Sequence, residues 1–301
     1  MNPDIERYIN PFTDYGFKRL FGEEANKDLL LDFLNELLRE EQGEIISLTY
    51  LKTEQLGNTP LDRKAIFDLY CENANGEKFI VELQKSKQDF FKDRTVYYST
   101  FPIQEQAIKG SLWNYELKAV YMVAILDFVF AEDQADTDKY KYVVKLSDIE
   151  TNQVFYNKLT FVYLEMPKFT KELADINSHF EKWLYVLRHL HELETMPAKI
   201  TEKIFKKLFA VAEIAQFNRE QQQQYETSLK YYRDLRNSFD TARDEGWKKG
   251  EAAGFSKGIQ QGIQQGEQRK TLELAQAMLT QGIPMATIIT VTGLSEAEIT
   301  N

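Results

Sequence analysis

Two acids and an amide have the types and spacing to do chemistry together: Asp68, Glu82 and Gln84, distributed over a predicted β-hairpin. Two strand-like runs, Ala65 to Cys71 and Lys78 to Gln84, flank the segment Ala74-Asn75-Gly76. A three-residue hairpin loop commonly needs its last residue in the left-handed region, and glycine occupies that place here. With this loop the numbers of paired residues sum to 150, which sets Asp68 opposite Glu82, Ile66 opposite Gln84 and Tyr70 opposite Ile80. Side chains alternate, so Phe67, Leu69 and Cys71 face Leu83, Val81 and Phe79 on the other surface. Like charges directly opposed in a sheet destabilise it. A hard divalent cation such as Mg²⁺ would compensate, because it takes one or two carboxylates together with waters and phosphate oxygens. Two other readings stay open. A two-residue Asn75-Gly76 turn would put the acids on opposite faces, and charges on a solvated sheet face are ordinary.

The other chemistry-bearing residue types form no comparable group. His189 and His191 stand two apart on a predicted helix and point away from each other, and His179 is remote, so a shared zinc ion is disfavoured. Cys71 is the single cysteine, which excludes an internal disulfide and a cysteine-based zinc site. No Walker loop or dinucleotide-binding glycine fingerprint is present.

The elements that must position the acids read as mixed α/β. A helix is expected over Lys27 to Arg39, whose leucines and Phe33 follow the i, i+3, i+4 spacing of one buried face. Further strands are expected at Ile45 to Lys52, Leu117 to Phe130, Tyr140 to Leu146 and Leu159 to Glu165. A helix over Asp89 to Ala107 is expected to be interrupted near Pro102 and stopped by Gly110. This mixture argues for a sheet with helices on its faces. The 301 residues are 43% apolar, ample for a buried core. The longest apolar run, Leu117 to Phe130, contains Lys118 and Asp127, so no membrane span is expected. The polar, acidic start carries no signal-peptide pattern, and the cytoplasm is the expected location. The net charge of −10 means that any nucleic-acid contact relies on local basic patches and bound metal rather than on the overall field.

Asp68, the hairpin and then Glu82-Leu83-Gln84 resemble the core motif of PD-(D/E)XK nucleases, in the variant whose final lysine is glutamine. Asp14-Tyr-Gly-Phe-Lys-Arg-Leu-Phe-Gly22 resembles the N-terminal helix signature of one branch, the PD-(D/E)XK family transposases or Rpn recombination-promoting nucleases. Phe91-Lys-Asp-Arg94-Thr-Val-Tyr97-Tyr98 fits the helix after the core hairpin in that branch, and the likeness spans roughly residues 5–245, with a similar tail. The resemblance implies a restriction-endonuclease-like α/β core, a mixed sheet flanked by helices, with a helical C-terminal extension. It implies a DNA endonuclease in which Asp68, Glu82 and the Leu83 backbone carbonyl hold Mg²⁺ or another divalent cation. Gln84 and Asp14 join the catalytic set, although Asp14 is equally placed to cap the first helix. Glutamine can orient water but adds no cation, so the missing charge would come from Lys18 or Arg94. Lys85 is expected on the opposite face. Lys18, Arg94 and Tyr98 would contact DNA, with Tyr97 beside them. The competing reading makes both tyrosines core and leaves Arg94 reaching outward. The alternatives to a DNA endonuclease are a catalytically silent oligomeric DNA-binding or regulatory protein, and a nuclease directed at RNA.

Four regions follow: a core over 1–170, a helical region over 171–245, a glycine-rich stretch over 246–270 and a small helical module over 271–301. Gly246, Gly250, Gly254, Gly258, Gly262 and Gly266 recur every fourth residue, beside Trp247, Phe255, Ile259 and Ile263. Such a row permits close helix–helix approach, and homo-oligomerisation through 246–301 is expected over the alternative of a flexible linker. In the terminal module Pro284 opens one helix and Ser295-Glu-Ala-Glu298 reads as a capping box for another. The arrangement resembles a helix-turn-helix bundle. With no Lys or Arg after Lys270, an interaction module is expected rather than base reading in the major groove.

Overall fold

A computed structural model describes residues 6–55, 65–107 and 114–300, so the expected polar start and the Gly110 helix stop lie outside the described residues. The chain divides into two compact units, Met1–Asp234 and Leu235–Asn301.

The first unit is built on a six-stranded sheet in the order β1 (Leu48–Tyr50), β4 (Leu69–Asn73), β5 (Lys78–Gln84), β6 (Val120–Leu126), β8 (Val154–Glu165) and β7 (Lys141–Ser147). β5, β6 and β8 run parallel, and the outer pairings are antiparallel. Every residue of β6 is buried, as expected of a strand covered on both faces. One face carries Leu69, Val81, Val123 and Val162 against α1 (Asp14–Phe21), α2 (Lys27–Leu37), α4 (His179–His189) and α5 (Lys203–Ala212). The largest side chain buried there is Trp183, which meets Phe21, Phe33 and Phe205 and donates its indole N–H to Asp32 at 2.6 Å. The opposite face carries Ile80, Met122, Leu126 and Tyr163 under α3 (Phe91–Glu105).

The hairpin forms with the expected register: Leu69 pairs with Val81, Tyr70 with Ile80 and Cys71 with Phe79, while Gly76 takes φ +80°. Upstream, the expected strand is broken. Ala65–Ile66 forms β3, which pairs with β2 (Glu54–Gln55), so Ile66 lies opposite Glu54 and not Gln84. The chain bends at Phe67 and Asp68, where the Phe67 N–H bonds to Thr53 O. The bend shifts the alternation, and Phe67 joins Tyr70 and Ile80 in the cluster under α3 instead of facing Leu83. β6 is shorter than the predicted run, ending at Leu126 beside the last residue of β5, with the Asp127 N–H making a final bond to Gln84 O. α3 continues through Pro102, which is buried, so the expected interruption does not occur.

A helix α6 (Arg219–Thr280) begins in the first unit and extends through the whole glycine row into the second. In the second unit Ala275 of α6 packs with Ile288 of α7 (Met285–Thr292) and Ile299 of α8 (Glu296–Thr300). Gly282 and Gly293 turn the chain at φ +80° and +73°. The Glu298 carboxylate accepts from the Ser295 N–H and hydroxyl at 2.8 and 2.6 Å, which is the side-chain-to-backbone half of the expected capping box.

α1 starts from a polar knot. Thr13 caps it by accepting from the Gly16 N–H at 2.9 Å, and Asn10 receives the Thr13 hydroxyl on its carbonyl at 2.8 Å. Asp14 is therefore the first helical residue and not the cap. A Cβ on Gly16 would lie 2.1 Å from Asn10 O, a backbone atom that cannot step aside cheaply. Gly16→Ala is expected to lower unfolding stability by about 3 kcal/mol in urea denaturation, the range of severe overpacking.

Candidate active site

The bend before β4 creates the site. Asp68 leaves the ladder, and its backbone N–H donates to Glu82 Oε1 at 3.0 Å instead of to a strand carbonyl. In return the Leu83 N–H donates to Asp68 Oδ2 at 2.8 Å. Each carboxylate is thus anchored by the other's strand. Among the described residues no hydrogen bond reaches Asp68 Oδ1 or Glu82 Oε2. An extended residue directs its N–H and C=O to the same edge, so the Leu83 carbonyl faces the edge on which Asp68 lies.

Burial governs the electrostatics. Glu82 is 5% exposed, and removal from water, followed by the Asp68 charge, pushes its pKa up. Asp68 is raised as well, first by burial, with the Leu83 N–H bond opposing and Asp14 adding to it. Two acids held in a poorly solvated place resist being ionised together.

Gln84 is buried on the same face, and its amide is engaged at both ends. Its Nε2 donates to Ser86 O at 2.8 Å, and its Oε1 accepts from the Arg94 guanidinium. Arg94 also bonds Gln88 Oε1 at 2.7 Å and rests 4.8 Å from the Phe91 ring centroid. Its charge favours ionisation of Glu82, so α3 brings one of the two expected cations to the acids. Tyr98 is partly buried on Phe67 at 5.2 Å, whereas Tyr97 is the more exposed of the two tyrosines. Tyr98 therefore stands against the cluster beside Glu82 rather than outside it.

On the other face of the sheet lies a cleft of about 1220 Å³, lined by Asp14, Lys18, Asp68, Lys85, Gln224 and Tyr231 among others. Lys18 pairs with Asp14 at 3.1 Å and its charge favours ionisation of both Asp68 and Glu82. Asp14 lines the same cleft as Asp68, where its charge helps to raise the Asp68 pKa, and among the described residues no three His, Cys, Asp or Glu side chains gather as metal ligands. Lys85 does point to this opposite face, as its strand parity predicts, yet the bend turns Asp68 towards the same cleft, so Lys85 becomes a neighbour of the acid. Sequence reading also passed over Asp127 and Tyr232. The Tyr232 hydroxyl donates to Asp127 Oδ2 at 2.7 Å, and the Asp127 N–H holds Gln84 O at 2.9 Å. The signal was available, since Asp127 is the one acid in an apolar run.

A family model of PD-(D/E)XK nuclease family transposases matches residues 11–242, and one of the Rpn/YhgA-like nuclease family C-terminal HTH domain matches residues 268–301. The chain belongs to the PD-(D/E)XK nuclease family transposases. No curated protein and no solved structure gives a significant match. The family has a nuclease-type fold, which the mixed sheet flanked by helices matches. No described helix is long and apolar enough to cross a membrane.

The donor set fits a hard cation: two carboxylates with one oxygen each left over, and a strand carbonyl on the same edge. Without such a cation the pair lowers stability in a pH-dependent way. Because the folded-state pKa of Glu82 is raised, the native state keeps a proton that the unfolded chain has lost, and stability falls as pH rises from the ordinary carboxylate range. In metal-free buffer Glu82→Gln is expected to flatten this fall and to be about 1–3 kcal/mol more stable than wild type near pH 8, measured by urea unfolding across pH.

Proposed function

We propose that the protein is a divalent-metal-dependent endonuclease that hydrolyses phosphodiester bonds in DNA, of the transposase-like, recombination-promoting kind. One observation carries the reading: buried Glu82 and half-buried Asp68 lie side by side, each tied to the other's strand by a single backbone N–H, and among the described residues each keeps an oxygen with no hydrogen bond. Asp68, Glu82 and the Leu83 carbonyl would hold the cation, with Mg²⁺ suited to such donors. A cation there supplies a lowered pKa for bound water and compensation of charge on the phosphate. Gln84 fixes the floor of the site, and Arg94, held against it, supplies a positive charge that the glutamine lacks. Lys18 and Lys85 bring further cations to the Asp68 side, where Lys18 would meet the DNA backbone. Tyr98 supports the Arg94 side chain, whose guanidinium carbon lies 5.7 Å from its ring.

A catalytically silent, oligomeric DNA-binding or regulatory protein is the second reading. The closed Gln84 amide favours it, since both ends are already hydrogen-bonded. Nicking of supercoiled plasmid with Mg²⁺ separates the two. Wild type is expected to cleave, and Asp68→Asn and Glu82→Gln are expected to lose about 10³-fold, the scale seen on removing one stabiliser of developing charge. Equal cleavage by all three would exclude this site, and no cleavage by wild type would select the silent reading. An RNA competitor that abolishes plasmid nicking would redirect the substrate assignment.

The tail is read as a self-association helix. A Cβ at any of the six glycines from Gly246 to Gly266 would meet nothing within 4 Å, and Trp247, Phe255 and Ile263 lie exposed beside them. Six glycines in a lone helix are unfavourable by about 1 kcal/mol each relative to alanine, and a second copy of the same row would offset this through close backbone contact. The C-terminal module would then be an interaction unit. Light scattering on the full chain is expected to give a multiple of its 35.2 kDa mass, reduced to one chain by Ile259→Glu with Ile263→Glu. A wild-type mass equal to one chain overturns this role.

A further inference from the structure

Phe90 combines two unfavourable features at one position. It has φ +61°, the left-handed region that bulky L residues rarely adopt, and its side chain is 79% exposed. The next residue, Phe91, is the first of α3 and is buried in the cluster between that helix and the sheet, whereas Phe90 is exposed and belongs to neither apolar cluster of the first unit. It also gives no side-chain cap to α3, although its carbonyl accepts the Arg94 N–H at 2.9 Å. Among the described residues the ring joins no apolar cluster.

The position lies one helical turn before Arg94, whose N–H bonds the Phe90 carbonyl and whose guanidinium bonds Gln84 on the strand that carries Glu82. Phe90 follows Gln84 by six residues, and Arg94 clasps the intervening loop by bonding Gln84 and Gln88 together. The segment from Lys85 to Arg94 carries four basic and two acidic side chains in a chain of net charge −10. Lys92 is paired with Glu132 at 2.6 Å and Arg94 is held by Gln84 and Gln88, so what this loop offers outward is the exposed ring itself, whose flat apolar face suits one occupant: the base stack of a DNA duplex. Protein wedges of Phe, Leu or Met enter base steps in this way, partly unstack them and kink the helix.

We propose that Phe90 is a wedge that inserts into the base stack of duplex DNA and unstacks a step next to the phosphate presented to Asp68 and Glu82. The inference rests on the nuclease reading for its substrate, and it names a positioning residue rather than a catalytic one. Unstacking is least unfavourable at a mismatched step. A wedge should therefore matter for a fully paired duplex and matter little where the duplex is already weakened.

The test uses the full chain and duplexes bearing 2-aminopurine at staggered positions, with Ca²⁺ in place of Mg²⁺. Wild type is expected to raise the fluorescence at one step, and Phe90→Ala to bind without that rise. With Mg²⁺, Phe90→Ala is expected to cleave the paired duplex about ten-fold more slowly and to recover on the same duplex with a mismatch at the mapped site. Phe90→Gly should raise the thermal unfolding midpoint, because glycine accepts a left-handed backbone, while sharing the cleavage defect. A fluorescence rise that survives Phe90→Ala, or no rise with wild type at any position, overturns the wedge. Equal losses on paired and mismatched duplexes overturn it too. Wild type that raises fluorescence but never cleaves would instead overturn the nuclease reading and leave the wedge standing.

Discussion

The acid pair holds an unfavourable arrangement in place. Left to themselves, two carboxylates facing each other in a poorly solvated sheet would separate or take up a proton. Two backbone hydrogen bonds prevent separation, from the Asp68 N–H to Glu82 and from the Leu83 N–H to Asp68. Both donors are free for this use because the ladder stops at Leu69, one residue after the bend. The local loss of sheet pairing and the gain of a cation-type donor set are one structural event. It depends in turn on β2, which captures Ala65 and Ile66 and draws the chain away from β5.

The rest of the first unit keeps that arrangement rigid. Parallel β5 and β6 are buried on both faces, which gives the acids a poorly hydrated setting but leaves their ends accessible. α3 covers one face and brings Arg94, while α1 borders the other and brings Lys18 and Asp14. The first turns of α6 complete the second side: Tyr225 donates to Glu6 and accepts from the Asn10 N–H, both at 2.9 Å, and Tyr232 reaches Asp127. Burial thus raises the protonation tendency of the acids, and the surrounding cations lower it, with desolvation the larger influence on both.

Much of this was legible in the sequence because hairpin register is arithmetic. Gly76 fixed the loop, and the pairing of Tyr70 with Ile80 followed. The break at Phe67 was not legible. A run of Ala-Ile-Phe-Asp-Leu-Tyr-Cys has strand propensity throughout, and its division between two sheets is decided by Thr53 and β2, which propensity does not see. The same error reversed the roles of Phe67 and hid the nearness of Lys85 to Asp68. For Asp14, the choice between ligand and cap left out Thr13, one residue earlier, as the cap that forms. Tertiary packing also overrode local rules in α3, where a proline signals a break but burial of Pro102 keeps the helix whole.

Replacing a lysine by glutamine in the acid motif has a physical consequence that the structure makes concrete. A lysine at position 84 would place its ammonium in a site only 7% exposed, where burial favours the neutral amine. Lys85, less enclosed, already has its pKa lowered mainly by burial. A guanidinium keeps its charge under the same conditions, and its planar fork can bond two acceptors at once. Arg94 does this with Gln84 and Gln88, and it stacks beside Phe91 and Tyr98. The glutamine is then the acceptor that receives a guanidinium delivered from α3, beside Glu82.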